Sequence, residues 1–369
     1  MPSGAGYLAE GDVALARAAA RLTDRPTLVL GGHTHTVLNA SGFTPDTLIE
    51  GVPILQAGGQ GSHFGEFVAS LRRGSTRQFW TISAGLHRLG TAARGPQQSD
   101  AVTLLPPDLD FDAAVLAPLN DRVRVRIGEP LARIEWSDAL SRQSTLRDRY
   151  VGECALANYI CDALVARSET FSTQRADLAI VNATAIADGL PHREMLTFRD
   201  WYRVQPFADT LRVAHLTGSD LLDILASNAL RILRIAELSG QQAIDPTGYL
   251  ARGFVHFSRS VRYTIELGHA AADSTVIDAT FDGEALASRP ERKLSVVFTN
   301  YLGAGGYAES WNGSPIGGVP SFSRGYDLRK LSQRETGLVF RNEGMAHLRV
   351  EGRIGPGQGA RLDGRLKVG

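Results

Sequence analysis

The sequence predicts a mixed α/β protein of two unequal units, and three features of its pattern carry that expectation. Residues Glu153 to Ala166 place Leu156, Ile160, Ala163 and Leu164 on one helical face, and the apolar run Ala176 to Val181 that follows reads as a buried strand. Helix, polar gap and strand in that order is the pattern of an α/β domain. Earlier in the chain, short apolar runs separated by glycine turns read as strands along one edge of a sandwich. Between these regions Arg94 to Pro107 is polar and proline-containing, which reads as a linker.

Taken in order, Leu8 to Leu22 has helical spacing through Val13, Leu15, Ala18, Ala19 and Leu22, and Asp24-Arg25-Pro26 ends it. Thr27 to Leu30, Thr47 to Glu50 and Pro53 to Ala57 read as strands, followed by the glycine-rich Gly58 to His63 and then Phe64 to Leu71. One helix and a few strands bury too little for an independent domain, so residues 1–95 are expected to be the later part of a larger one. Residues 96–140 are expected as a linker with a helix, its pattern over Phe111 to Leu140 interrupted at Gly128-Glu129-Pro130. The second unit is expected over 141–345. It contains a strand or turn at Val204 to Phe207 and a strand at Thr210 to Leu216. A helix at Ser219 to Leu230 has Asp220 and Asp223 suited to its start. Further strands are expected at Phe254 to Phe257, Val261 to Ile265, Val276 to Thr280 and Leu294 to Thr299. Glycines after Arg349 mark residues 346–369 as a flexible tail.

Bulk properties narrow the function classes. Lys and Arg total 39 against 39 Asp and Glu, a balance that gives no support for nucleic-acid or anionic-membrane binding. No apolar run approaches the roughly 20 residues of a membrane span, and Met1 to Gly6 lacks the basic start and apolar stretch of an export signal. Cys154 and Cys161 fall in one expected helix, about 10 Å apart along its axis, too far to pair with each other.

The most chemically suggestive stretch is Leu28-Val29-Leu30-Gly31-Gly32-His33-Thr34-His35-Thr36. A strand that empties into two glycines presents His33 and His35 on the same side of an extended segment, and imidazole is the commonest metal ligand. The alternative is that both are polar loop residues satisfied by neighbours, because two ligands do not make a site. His63 and His87 are open to the same two readings.

Several segments occur together in a recognisable order. They are Gly31-Gly32-His33-Thr34-His35-Thr36, Pro53-Ile54-Leu55-Gln56-Ala57-Gly58 and Glu153 to Ala163, then Val181-Asn182, Gln205 to Leu211, Leu216 to Leu221, and Thr299-Asn300-Tyr301-Leu302 before Gly305-Gly306. In this combination the chain resembles the 5'-nucleotidase family, which joins a calcineurin-like metallophosphoesterase domain to a C-terminal substrate-binding domain. The resemblance implies a partial four-layer metallophosphoesterase sandwich followed by a 5'-nucleotidase-type α/β domain. It also implies hydrolysis of a nucleotide 5'-phosphate ester with two divalent ions, manganese or zinc, and a nucleotide or nucleoside as ligand.

Residue by residue, the resemblance places His33 and His35 on the last metal-binding loop. It finds no counterpart for the family's Asp-x-His, bridging Asp or Asn-His-Asp segments, so no catalytic residue is assigned. The upstream metal-binding His aligns best with Ser3 to Gly6, where a glycine takes its place. The resemblance puts the two base-stacking rings at Phe207 and Tyr301, residues that would otherwise be packing groups, and the strand-end asparagine at Asn182, which hydrogen-bonds substrate or caps a turn. Arginine is missing at two family positions, which are Ala187 and Tyr150 here, with Arg149 or Arg147 adjacent to the second. The ribose-binding acid is Tyr307. These departures imply that the chain alone is inactive. Its missing half would then come from an upstream segment or a partner chain, or the chain would be a non-catalytic nucleotide-binding remnant or subunit. Intact relatives are commonly periplasmic or surface-attached, with any export signal upstream.

Overall fold

A computed structural model describes residues 11–23, 25–32, 36–59, 61–70, 81–88, 108–234, 253–269, 273–305 and 327–369. The chain divides into two compact units, Met1–Ala114 and Val115–Gly369. His33, His35, Tyr307 and the Ser3 to Gly6 stretch lie outside the described residues.

In the first unit, helix α1 (Asp12–Leu22) buries Val13 and Ala16, one turn apart. They pack on Val29, Val52 and Ile54 in a small apolar cluster. Strands β1 (Val29–Leu30), β2 (Leu48–Ile49) and β3 (Val52–Leu55) form a sheet in the order β1-β3-β2. β1 runs parallel to β3, whereas β2 is its antiparallel hairpin partner. Glu50 and Gly51 sit at φ 51° and 84°, the left-handed pair that closes a two-residue hairpin in register with the strand twist. Strand β4 (His63–Ser70) pairs along its length with β5 (Thr81–Arg88), a strand not among those expected, although Ile82, Ala84 and Leu86 alternate with Ser83, Gly85 and His87.

The second unit begins with α2 (Ala117–Ile127), which stops at Gly128. The expected continuation of this helix to Leu140 is not found. Pro130–Ile134 is instead strand β6, because Pro130 has no amide hydrogen for a helix and Leu131, Ala132 and Ile134 are buried. There follow α3 (Arg142–Val151), α4 (Ala155–Arg167), β7 (Leu178–Asn182), β8 (Met195–Thr197), α5 (Phe198–Val204), β9 (Thr210–Thr217), α6 (Gly218–Ala229) and β10 (Val255–Phe257). Strands β11 (Val261–Glu266), β12 (Thr275–Phe281), β13 (Glu284–Ala285) and β14 (Lys293–Thr299) come next. The chain ends with α7 (Asn300–Gly303), β15 (Arg334–Val339), α8 (Phe340–Glu351), β16 (Arg353–Ile354) and β17 (Leu366–Val368). Val204 to Phe207, expected as a strand or turn, is the end of α5 and the loop after it.

The central sheet has five strands in the order β10-β7-β14-β9-β15. Its strands alternate between two cores. Ala179, Val181, Val213 and Val297 join the cluster of α4, α5 and α8, while Leu178, Ile180, Ala214, Leu216, Val296 and Phe298 join the cluster of α6 and β11. Both faces are therefore covered, which explains why β7 is apolar at nearly every position. Ten consecutive residues of α4, Ala155 to Leu164, are buried. Cys154 and Cys161 are both free and buried.

Residues 346–369, expected as a flexible tail, are instead part of this fold. β16 pairs with β6, and β17 pairs with β11. Ile354 and Ala360 are fully buried. The glycines that suggested mobility let this segment turn back to partners more than a hundred residues earlier in the chain.

Helix α6 starts with a reciprocal cap. The Asp220 amide donates to Thr217 Oγ1 at 3.1 Å, and the Thr217 amide donates to Asp220 Oδ2 at 2.7 Å. Replacing Thr217 by alanine is expected to cost about 1 kcal/mol, read as a lower urea midpoint with an unchanged slope. An unchanged midpoint would contradict the role of the cap.

Candidate functional site at one edge of the central sheet

Strand directions bring three of the sequence-selected residues to one edge. β7 and β14 are parallel, Ile180 opposite Phe298, so their carboxyl ends emerge side by side at Asn182 and Thr299. β9 runs antiparallel to β14 with Leu211 opposite Thr299, so the chain enters β9 at that same edge, just after Phe207. Tyr301 follows β14 in the short turn α7. In open α/β sheets, ligands bind outside the carboxyl ends of parallel strands.

The two rings are half-exposed, Phe207 at 50% and Tyr301 at 42%. The turn that carries Tyr301 is fixed by its neighbours. Asn300 Oδ1 accepts from the Thr210 amide at 3.1 Å, and Gln333 Nε2 donates to the Gly303 carbonyl at 2.9 Å. A side chain at Gly303 has no room, since a Cβ there would lie 2.5 Å from Gln333 Oε1.

Asn182 is 3% exposed. Its Nδ2 donates to Thr184 Oγ1 at 2.6 Å, and its Oδ1 is buried with no hydrogen-bond partner. A buried amide oxygen without a donor is costly and marks a place where a water or a ligand N–H or O–H would be stabilising.

Arg149 lies beside this turn. Its Nη1 donates to the carbonyls of Ala183 and Ile186, and it is 9% exposed. Its own carbonyl accepts from His256 Nε2 at 3.0 Å. The guanidinium therefore holds the backbone that follows Asn182, whereas Arg147 pairs with its neighbour Asp148 at 2.6 Å. At the arginine-less position Ala187, the neighbouring Asp188 is 5% exposed and binds Arg142 and Arg203, each at 2.8 Å.

Three groups at or beside this edge carry no signal in the sequence. Burial pushes the Asp209 carboxyl, two residues past Phe207, above its ordinary value. Burial likewise pushes the His256 imidazole down to about 4. Arg341, at the start of α8, donates from Nη1 to the carbonyls of Gln205, Pro206 and Phe207. Of the three, Asp209 alone lies within a motif segment, and nothing in that motif singles it out.

In the first unit, His63 Nδ1 is 2.9 Å from Ser62 Oγ, while His87 faces Glu66 at 3.4 Å and stacks on Phe64. Among the described residues no group of three or more His, Cys, Asp or Glu side chains is placed to hold a metal ion. The described donor set therefore does not fit a two-metal centre.

Residues 130–311 match the profile of the 5'-nucleotidase C-terminal domain. Among solved structures, a putative 5'-nucleotidase from Staphylococcus aureus in complex with alpha-ketoglutarate is similar at 14% identity and a TM-score of 0.54, over 93% of this chain and 56% of that one. A 5'-nucleotidase precursor from Thermus thermophilus is 20% identical with a TM-score of 0.48, over 96% of this chain and 62% of its own. The chain thus spans 56% to 62% of the length of these structures. No curated protein matches the chain significantly. Residues 130–311 thus carry a 5'-nucleotidase C-terminal domain, and in this part the chain fits the 5'-nucleotidase family.

Proposed function

We propose that the second unit is the nucleotide-binding half of a 5'-nucleotidase-type phosphohydrolase, and that this chain alone does not turn substrate over. The observation that supports the reading is the placement of Phe207 and Tyr301, both half-exposed, at the edge where β7 and β14 end. In this reading the two flat rings take a nucleobase between them, and the buried Asn182 Oδ1 accepts a hydrogen bond from the ligand. Arg149 keeps the turn after Asn182 in place. The phosphate would be met by arginines, since the guanidinium fork matches its geometry. Arg142 and Arg203, both more than half exposed, are cations beside Ala187, and each would have to share its pairing with Asp188 to meet the phosphate.

A 5'-nucleotidase-type reaction would call for two divalent ions, manganese or zinc, to activate a water. His33 and His35 would contribute to that centre, and its remaining ligands would come from an upstream segment or a partner chain. A purely nucleotide-binding remnant or subunit shares the base site and differs only in lacking turnover.

Base stacking is worth about 1 to 3 kcal/mol per base, so Phe207→Ala is expected to weaken adenosine binding by roughly 5- to 150-fold, with Tyr301→Ala similar. Calorimetric titration of adenosine and AMP into wild type and each variant checks this. Equal affinities would remove the stacking reading. Release of phosphate from AMP by the purified chain with Mn²⁺ and Zn²⁺ would overturn the proposal that it needs a complement.

A further inference from the structure

The loop that presents Phe207 is held by a residue from the far end of the domain. Gln205, Pro206 and Phe207 follow the last turn of α5, so their carbonyls have no helical partner. The Gln205 side chain does not help, because it is 1% exposed and neither of its amide atoms has a hydrogen-bond partner. One guanidinium nitrogen answers all three carbonyls. Arg341 Nη1 donates to Gln205 O at 3.4 Å, Pro206 O at 2.8 Å and Phe207 O at 3.2 Å. The same guanidinium sits over the Tyr202 ring, 4.2 Å from its centroid, a cation–π contact that anchors the fork. Next to it, the Phe340 amide donates to the Asp209 carbonyl at 2.8 Å, so the first two residues of α8 grip the loop on both sides of Phe207.

We propose that Arg341 is a positioning residue that sets the angle and rigidity of the Phe207 ring, and so the affinity of the base site; this rests on the stacking reading of Phe207. Arg341 acts on the loop backbone and has no assigned contact with ligand. Its effect must therefore pass through Phe207, and it must be selective for the base. The alternative is a general structural role, in which loss of Arg341 loosens the whole domain.

Three measurements on the full chain separate these outcomes. Hydrogen exchange of the ligand-free protein is expected to show faster amide exchange over residues 205–209 in Arg341→Ala, with the rest of the domain unchanged. Adenosine affinity is expected to fall on the order of tenfold in Arg341→Ala, a loss of preorganisation. Arg341→Lys should be intermediate, because an ammonium reaches the carbonyls but cannot stack as a plane on Tyr202. In the Phe207→Ala background the Arg341→Ala change is expected to have no further effect on adenosine, and ribose 5-phosphate should bind all variants alike. If Phe207→Ala weakens adenosine but Arg341→Ala does not, or weakens it equally with Phe207 absent, the positioning role is overturned while stacking stands. If Phe207→Ala binds adenosine as wild type does, the stacking reading falls and the proposal with it. A global rise in exchange in Arg341→Ala would overturn the positioning role in favour of the general structural one.

Discussion

Replacing Arg365 by alanine is expected to destabilise the second unit by about 3 to 5 kcal/mol, the cost of stranding a buried charge. Arg365 is 4% exposed and makes two parallel contacts to Asp162, Nη1 to Oδ1 at 3.1 Å and Nη2 to Oδ2 at 3.0 Å. It also binds Asp363 Oδ2 at 2.7 Å and the Phe257 carbonyl at 3.2 Å. Asp162 lies in the buried stretch of helix α4 and is itself buried. Without Arg365, its charge would face only the Arg259 amide at 2.8 Å and the exposed Arg259 side chain at 3.4 Å. The same strap ties down Glu153, whose carboxylate accepts from the amides of Asp363 and Gly364 at 2.7 and 3.0 Å. Urea unfolding followed by the fluorescence of buried Trp201 measures the loss. A shift below about 1 kcal/mol, the range of an exposed pair, would show that the buried bridge contributes little. Arg365→Met with Asp162→Leu should recover much of the stability, because the penalty arises from the unpaired charge and not from a missing attraction.

That strap is invisible in the sequence for a physical reason. Gly352, Gly355, Gly357, Gly359 and Gly364 weaken every local preference, and the order of the segment comes from partners elsewhere, Arg133 for Arg353 and Tyr263 for Leu366. Similarly, β6 is hidden behind a helical pattern because Pro130 breaks the pattern without revealing that β8 and β16 flank the strand. The strands β7, β9, β11 and β14 are legible because burial on both faces or on alternating faces writes itself into consecutive residues. Asn182, Phe207 and Tyr301 are legible through local motifs, and their shared edge follows once the strand directions are known. Arg341 is not, because it lies 134 residues from the Phe207 carbonyl it binds and sits in no motif.

Acid is expected to weaken this fold through His256. The ring is 4% exposed, and burial pulls its pKa from 6.5 to about 4, with the nearby Arg149 and Arg365 charges acting in the same direction and the hydrogen bond to the Arg149 carbonyl opposing them. The unfolded chain takes up a proton near pH 6.5 while the folded chain refuses it until about pH 4. The unfolded state therefore binds more protons within that window, so stability is complete above it and falls as pH drops through it. At about 1.4 kcal/mol per unit, the loss reaches on the order of 3 kcal/mol near the lower limit. His256→Gln keeps a side-chain N–H to offer the Arg149 carbonyl but carries no titrating ring. Its stability difference between pH 7 and pH 4.5 should therefore be smaller than that of wild type, as measured by urea midpoints at the two pH values. An equal loss in both proteins would assign the acid sensitivity to carboxylates such as Asp363, whose pKa lies below its ordinary value, burial opposing and the Arg365 hydrogen bond favouring the charged form. The consequence extends to the candidate site. Charging His256 sets a cation beside Arg149, and the Arg149 guanidinium holds the carbonyls that follow Asn182. Protonation at this buried ring, on strand β10 beside β7, is thus expected to loosen the turn after Asn182 together with the sheet edge that carries it.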